Sequence, residues 1–306
     1  MQMLVGDLGA SNSRFALVQG GKLDPSSFRS FPNSGYDDPA DLLQLYLDQS
    51  GATPPEAICL GVAGPVIDGA ARFTNRDWQL SEQALKQRFG FRTAILLNDL
   101  QAMGYALADL PPGCLTPVLP GEGRPDAARM VVAPGTGLNI AVLRPGMPVA
   151  PSESGHVALS ATTGRELEFL DALSGDFPIV PVEAALSGPG IARLYRFAGG
   201  NPDVPPAEIL TRAGAGGDDA ATQAIGMFGR FLGRYCADMA LTHMPMGGLF
   251  LTGSVGVAIA PYLAATEFAG QFHRAGPYRA ILESIPVSAV DDPMIGLRGC
   301  AVRLRT

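Results

Sequence analysis

Residues 4–19, LVGDLGASNSRFALVQ, set Leu4–Val5 and Phe15–Val18 on either side of a short polar segment. Apolar run, small-residue turn, apolar run is the pattern of a β-hairpin. A turn needs only glycine and asparagine, yet this segment carries Asp7, Gly9, Ser11, Asn12 and Arg14. Small polar residues do make turns. That many donors beside an acid and a guanidinium point instead to a turn that holds an anion. A second unit of the same form, MVVAPGTGLNIAVL at 130–143, lies in the other half of the chain. Two such turns at equivalent places suggest two related lobes that face one ligand.

The chain has 306 residues, of which 47% are hydrophobic and 17% charged. That is long enough for two domains and apolar enough for large cores, which excludes disorder. A net charge of −7 disfavours a nucleic-acid surface and favours a small-molecule partner. The four cysteines, at 59, 114, 236 and 300, are far apart with no C-x-x-C, which reads as buried free thiols in a reducing cytoplasm. No signal peptide and no membrane segment are expected, because the most apolar stretch, from Gly247, is broken by glycine, proline, threonine and serine.

Strand-like runs fall at 3–7, 13–19, 57–63, 70–74 and 93–97. Helical stretches include DDPADLLQLYLDQSG, with acids and proline first and Gly51 last, and SEQALKQRFG, opening on Ser81. The Pro/Gly-rich stretch 110–129 is the best domain boundary. Helical patterns follow at 164–174, 183–198 and 218–243, then a strand IPVSAV and a closing helix. The class is α/β with mixed sheets. The expected lobes are 1–109, completed by the returning segment 288–306, and 110–287.

With these motifs in place, the chain resembles the bacterial glucokinases of the hexokinase class, within the sugar kinase–Hsp70–actin superfamily. DLGASNSR matches the family's first phosphate loop and APGTGL its second, with Gly135, Thr136 and Gly137. FTNRDW (Asn75, Trp78), LLNDLQA (Asn98, Asp99), PSESGH (Glu153, His156) and EAALSGPG (Glu183) match its sugar signatures in order. GGLFLTGSV, with Gly253 and Ser254, looks like its adenosine loop. No carboxy-terminal cysteine cluster of the repressor-type kinases is present, which places the chain in the other branch. The resemblance implies a two-lobed ribonuclease-H-like (actin-like ATPase) fold with a ligand cleft between the lobes. It also implies the use of ATP with Mg²⁺.

On that reading, glycine turns cradle the phosphates with Ser11 and Thr136 adding hydroxyls, and Asp7 holds Mg²⁺ through water. Arg14 is read almost equally well as a structural ion-pair partner. Asp99, at the end of TAILLN, would take the proton of the sugar's 6-hydroxyl. An N-cap role for Asn98 or Asp99 competes with that reading. Asn75, Asn98, Glu153, His156 and Glu183 would read sugar hydroxyls. Glu183 is also a fair helix-start acid, and His156 could be a core histidine.

The chain departs from the family pattern at Ser152, Ser154, Ala133, Asn139 and Ser254, where glycine is usual. These positions bear on hexose and donor choice rather than on reaction class. The alternatives are a non-catalytic sugar or nucleotide sensor of the same fold, a kinase for another hexose, and an actin-like ATPase without a sugar site. A homodimer is plausible by family analogy.

Overall fold

The computed structural model describes residues 2–51, 55–74, 76–274 and 276–306. The chain divides into two compact units. One holds the residues up to Pro111 together with Val149–Pro151 and Asp292–Thr306; the other holds Pro112–Pro148 and Ser152–Asp291.

The first unit opens on the expected hairpin, β1 (Gln2–Leu8) and β2 (Asn12–Gln19), continued by β3 (Lys22–Pro32). After α1 (Pro39–Ser50) comes β4 (Ala57–Val62). A small three-stranded sheet follows, β5 (Val66–Ile67), β6 (Ala70–Arg72) and β7 (Gln79–Ser81). The unit continues through α2 (Glu82–Phe89), β8 (Thr93–Asn98) and α3 (Asp99–Ala106). The main sheet runs β3-β2-β1-β4-β8, antiparallel across the first three strands and parallel from β1 to β8. The polar edge β3 was not legible as a strand, because Pro25 and its many serines break the alternation.

The second unit holds β9 (Leu115–Leu119), β10 (Arg129–Pro134) and β11 (Leu138–Leu143), then α4 (Gly164–Leu173) and α5 (Gly188–Phe197). It continues through α6 (Pro206–Ala215), α7 (Asp219–His243), β12 (Leu249–Leu251) and α8 (Gly253–Ile259). It ends with α9 (Phe268–Phe272), α10 (Arg279–Ser284) and β13 (Val287–Val290). Its sheet runs β11-β10-β12-β13-β9. The stretch β11-β10-β12-β13 repeats β2-β1-β4-β8, each an antiparallel hairpin followed by two parallel strands. The two turn motifs of the sequence therefore cap the same place in two copies of one sheet pattern. Two details differ from expectation. The Pro/Gly-rich stretch 110–129 contains the edge strand β9, whose Pro117 is tolerated because an edge need not donate on both sides. The helix expected over 183–198 is broken, because Ser187 caps Gly190 N–H and restarts the helix at Gly188.

The closing helix α11 (Ile295–Arg303) belongs to the first unit and packs along α3. A Cβ on Gly299 would fall on the Ala102 carbonyl oxygen, so the two helix backbones touch. None of the four cysteines forms a disulfide; Cys59, Cys236 and Cys300 are buried as expected, whereas Cys114 is only partly buried.

A buried charge network braces the second unit. Arg234 on α7 and Glu166 on α4 are each 1% exposed and meet at 2.9 Å. Burial alone would raise the Glu166 carboxyl. Hydrogen bonds from Arg234, Thr162 N–H and Arg230 overrule it and lower the carboxyl to about 2. A lowered folded value means stabilisation that is complete above the ordinary carboxylate range and lost as pH falls toward 2. Glu166→Gln leaves Arg234 buried without its counter-charge, so it should cost about 3–5 kcal/mol at neutral pH. Thermal midpoints of the two proteins are expected to converge between pH 5 and pH 2.5; a gap that persists unchanged would contradict the pairing.

Candidate active site

The residues singled out from the sequence divide between the units. Asp7, Gly9, Ser11, Asn12, Asn98 and Asp99 lie in the first; Gly135, Thr136, Gly137, Glu153, His156, Glu183, Gly253 and Ser254 lie in the second. Asn75 lies outside the described residues. Trp78 of the same motif is a core residue, 3% exposed and edge-on to Phe73 at 5.4 Å.

In the first unit the hairpin register puts Asp7 opposite Arg14, and the two form an ion pair at 3.2 Å. Burial raises the Asp7 carboxyl, and the charge and hydrogen bond of Arg14 only partly offset this. The turn's carbonyls are drawn to one side. Asn33 Nδ2 donates to Gly9 O at 2.8 Å, Arg76 Nε to Ala10 O at 3.1 Å, and Asn33 N–H to Ser11 O at 2.9 Å. Across a trans peptide the next N–H points the opposite way. The N–H groups of Ala10 and Ser11 are thereby turned outward, away from Asn33 and Arg76. Asn33 is fully buried, accepts from Ser13 Oγ at 2.8 Å, and escaped the sequence reading. Its only signal was a turn-type FPNSGY segment after a strand that the hydropathy pattern hid.

Asn98 ends β8 and Asp99 begins α3, at the carboxyl edge shared with Asp7. Ligands of open α/β sheets bind at such edges. Asn98 is the N-cap: its Oδ1 accepts Leu100 N–H at 3.0 Å, and Gln101 Oε1 accepts Asn98 N–H at 3.0 Å in return. Asn98 thus fills the capping role. Asp99 is half-buried with its Oδ1 2.8 Å from Leu100 N–H. Gln101 also donates to Val149 O at 2.9 Å, and Tyr105 OH accepts Val149 N–H at 3.2 Å, which fastens Val149–Pro151 to α3.

In the second unit the turn after β10 is closed by Gly135 N–H donating to Gly137 O at 2.8 Å. Gly188 N–H, at the start of α5, donates to Gly135 O at 2.8 Å. Gly253, with φ +77°, brings the start of α8 against Pro134 O, where a Cβ would sit at 2.7 Å. The turn is therefore flanked by the starts of two helices.

Glu153 and His156 bracket a helical turn over Ser154–His156, with His156 N–H donating to Glu153 O at 3.1 Å. Val157 and Leu159 exchange backbone bonds with Val180 and Val182, which brings Glu183 alongside. His156 Nδ1 and Glu183 Oε1 stand 3.8 Å apart, and Leu138 N–H lies 3.4 Å from Glu183 Oε2. A Cβ on Gly155 would fall on Leu138 O, and one on Gly137 would come within 2.9 Å of Glu183. Two glycines thus let the start of β11, the Glu153–His156 turn and Glu183 crowd together. Among the described residues no helix is long and apolar enough to cross a membrane.

Two sheets of one pattern, each ending in a small polar turn at its hairpin, define the actin-like ATPase fold. A glucokinase from an Antarctic psychrotroph shares that fold, with a TM-score of 0.89 and 29% identity over 99% of this chain and 98% of its own. The family model described as Glucokinase matches residues 4–306. The glucokinase of Saccharophagus degradans is 32% identical over 98% of this chain and 97% of its own length. That of a Caulobacter species is 34% identical over 98% and 94%. The chain belongs to the glucokinase family.

Proposed function

We propose that this protein transfers the γ-phosphoryl group of ATP to the 6-hydroxyl of glucose, with Asp99 as general base. Membership of the glucokinase family along the whole matched span carries the reaction. The assignment of the base rests on Asp99, a carboxylate at the carboxyl edge of the first unit's sheet, beside a neighbour that already supplies the helix cap.

In that reaction the sugar O6–H proton passes to the Asp99 carboxylate as O6 bonds to the γ-phosphorus. The bond from that phosphorus to the bridging oxygen breaks, and ADP leaves. The outward N–H groups of Ala10 and Ser11 and the turn at Gly135–Gly137 take phosphate oxygens, with Thr136 adding a hydroxyl. Glu153, His156 and Glu183, with Asn98 and Asn75, bind the sugar hydroxyls. Gly253 and Ser254 border the adenosine.

Mg²⁺ fits the residues present. Asp7 is a single, largely buried carboxylate, and the absent side chain of Gly296 leaves space 3.3 Å from its Cγ. One carboxylate with waters and phosphate oxygens is the usual Mg²⁺ donor set. The ion would neutralise phosphate charge; Asp7 would hold it and Arg14 would hold Asp7. A cytoplasmic place in sugar breakdown and a homodimer complete the proposal.

The test is formation of glucose 6-phosphate from glucose and Mg-ATP in a coupled assay, with other hexoses and donors alongside. Turnover on glucose that stops on chelation of Mg²⁺ is expected. Failure on every hexose, with sugar binding retained, would replace the kinase by a sensor.

A further inference from the structure

Asn139, on β11, and Ser154, between Glu153 and His156, are in contact. Asn139 Oδ1 accepts Ser154 N–H at 3.1 Å and Ser154 Oγ–H at 3.3 Å, while its Nδ2 donates to Ser152 O. On the far side, Ser154 Oγ lies 2.7 Å from the hydroxyl of Tyr235 on α7, which is 4% exposed. Either hydroxyl can be the donor in that contact. If Ser154 gives its proton to Asn139, Tyr235 gives its own to Ser154. Burial raises the Tyr235 phenol, which keeps that proton in place.

The chain of bonds joins functional pieces. Asn139 stands two residues after Gly137 of the phosphate turn, next to Leu138, whose N–H faces Glu183. Ser154 lies between Glu153 and His156. Arg234, the neighbour of Tyr235, donates to Ser160 O at 2.6 Å and so fastens the same segment farther along. Three side chains, those of Asn139, Ser154 and Tyr235, thus anchor this turn.

We propose that Tyr235, Ser154 and Asn139 form a hydrogen-bonded strap that positions Glu153 and His156, and that Tyr235 is thereby a positioning residue for sugar affinity. This rests on the reading of Glu153 and His156 as sugar-binding residues. Tyr235 touches no reacting atom, so its removal should alter sugar saturation and leave the chemical step alone.

The experiment compares wild type, Tyr235→Phe, Ser154→Ala and the double variant, measuring kcat, KM for glucose, KM for ATP and Tm. Tyr235→Phe keeps the ring packing and removes one hydroxyl. It should raise KM for glucose about three- to tenfold, the weight of one buried hydrogen bond. Its kcat and KM for ATP should stay within about twofold. The double variant should be no worse than the worse single one, because both cut the same strap. Ser154→Thr, which restores a hydroxyl, should recover most of the lost affinity. An unchanged KM for glucose, equal shifts in both KM values, or additive effects would overturn the strap. Wild type without activity on any hexose would instead overturn the kinase reading.

Discussion

Asp99→Asn is expected to lower kcat by about 10²–10⁴-fold while glucose still binds. The amide matches the carboxylate in size and keeps an oxygen for Leu100 N–H, the 2.8 Å bond that Asp99 makes now. It cannot accept the proton of the attacking hydroxyl. Folding should be spared, because the helix cap comes from Asn98 and the reciprocal bond from Gln101, and neither is altered. Calorimetric glucose binding within a few-fold of wild type, together with the kcat loss, would assign the base. Full activity in the variant would remove Asp99 from the mechanism and leave the family membership untouched. A loss of sugar binding equal to the loss of rate would make it a binding residue instead.

Gly155→Ala should be nearly as damaging by a different route. The new methyl would land on the Leu138 carbonyl oxygen and 3.3 Å from Glu183 Oε2. Leu138 is main chain in a sheet and cannot swing aside as a flexible side chain would. Relief must come from moving the Glu153–His156 turn away from Glu183, or from moving β11 and with it Gly137. Overpacking of this kind costs about 1–3 kcal/mol in stability. The larger effect falls on function: KM for glucose should rise by about 10²-fold or more, since several hydroxyl contacts fail together. Gly164→Ala is the matched control, because a Cβ there has nothing within 4 Å and Gly164 opens a helix. It should be neutral or slightly stabilising. If both alanines behave alike, the crowding at Gly155 is not what sets sugar affinity.

Much of the α/β framework was legible because buried strands advertise themselves. IVLA-rich runs such as 57–62 and 130–134 are buried along nearly their whole length. Of the strands that escaped, β5 and β7 are only two and three residues long, and β3 and β9 are sheet edges that carry prolines and polar residues, where solvent removes the pressure for alternation. At the site, the turn glycines, Asn98 and Asp99 could be picked out because they interrupt apolar runs. Asn33 and Tyr235 could not. One is a buried amide and the other a buried phenol, and each acts through a contact with a residue distant in sequence. Such pairings follow from the tertiary register and leave no local pattern.

The return of α11 onto α3 fixes an order of events during synthesis. The first unit includes residues 292–306, so its helix carrying Asp99 lacks its packing partner until that stretch has left the ribosome. The second unit, Pro112–Pro148 and Ser152–Asp291, lies in between, and all of it has been made before residue 292. Domains that can close early do so while translation continues. The second unit can therefore fold while the first still waits for α11, and Asp99 gains the packing of its helix only once residues 292–306 have been made.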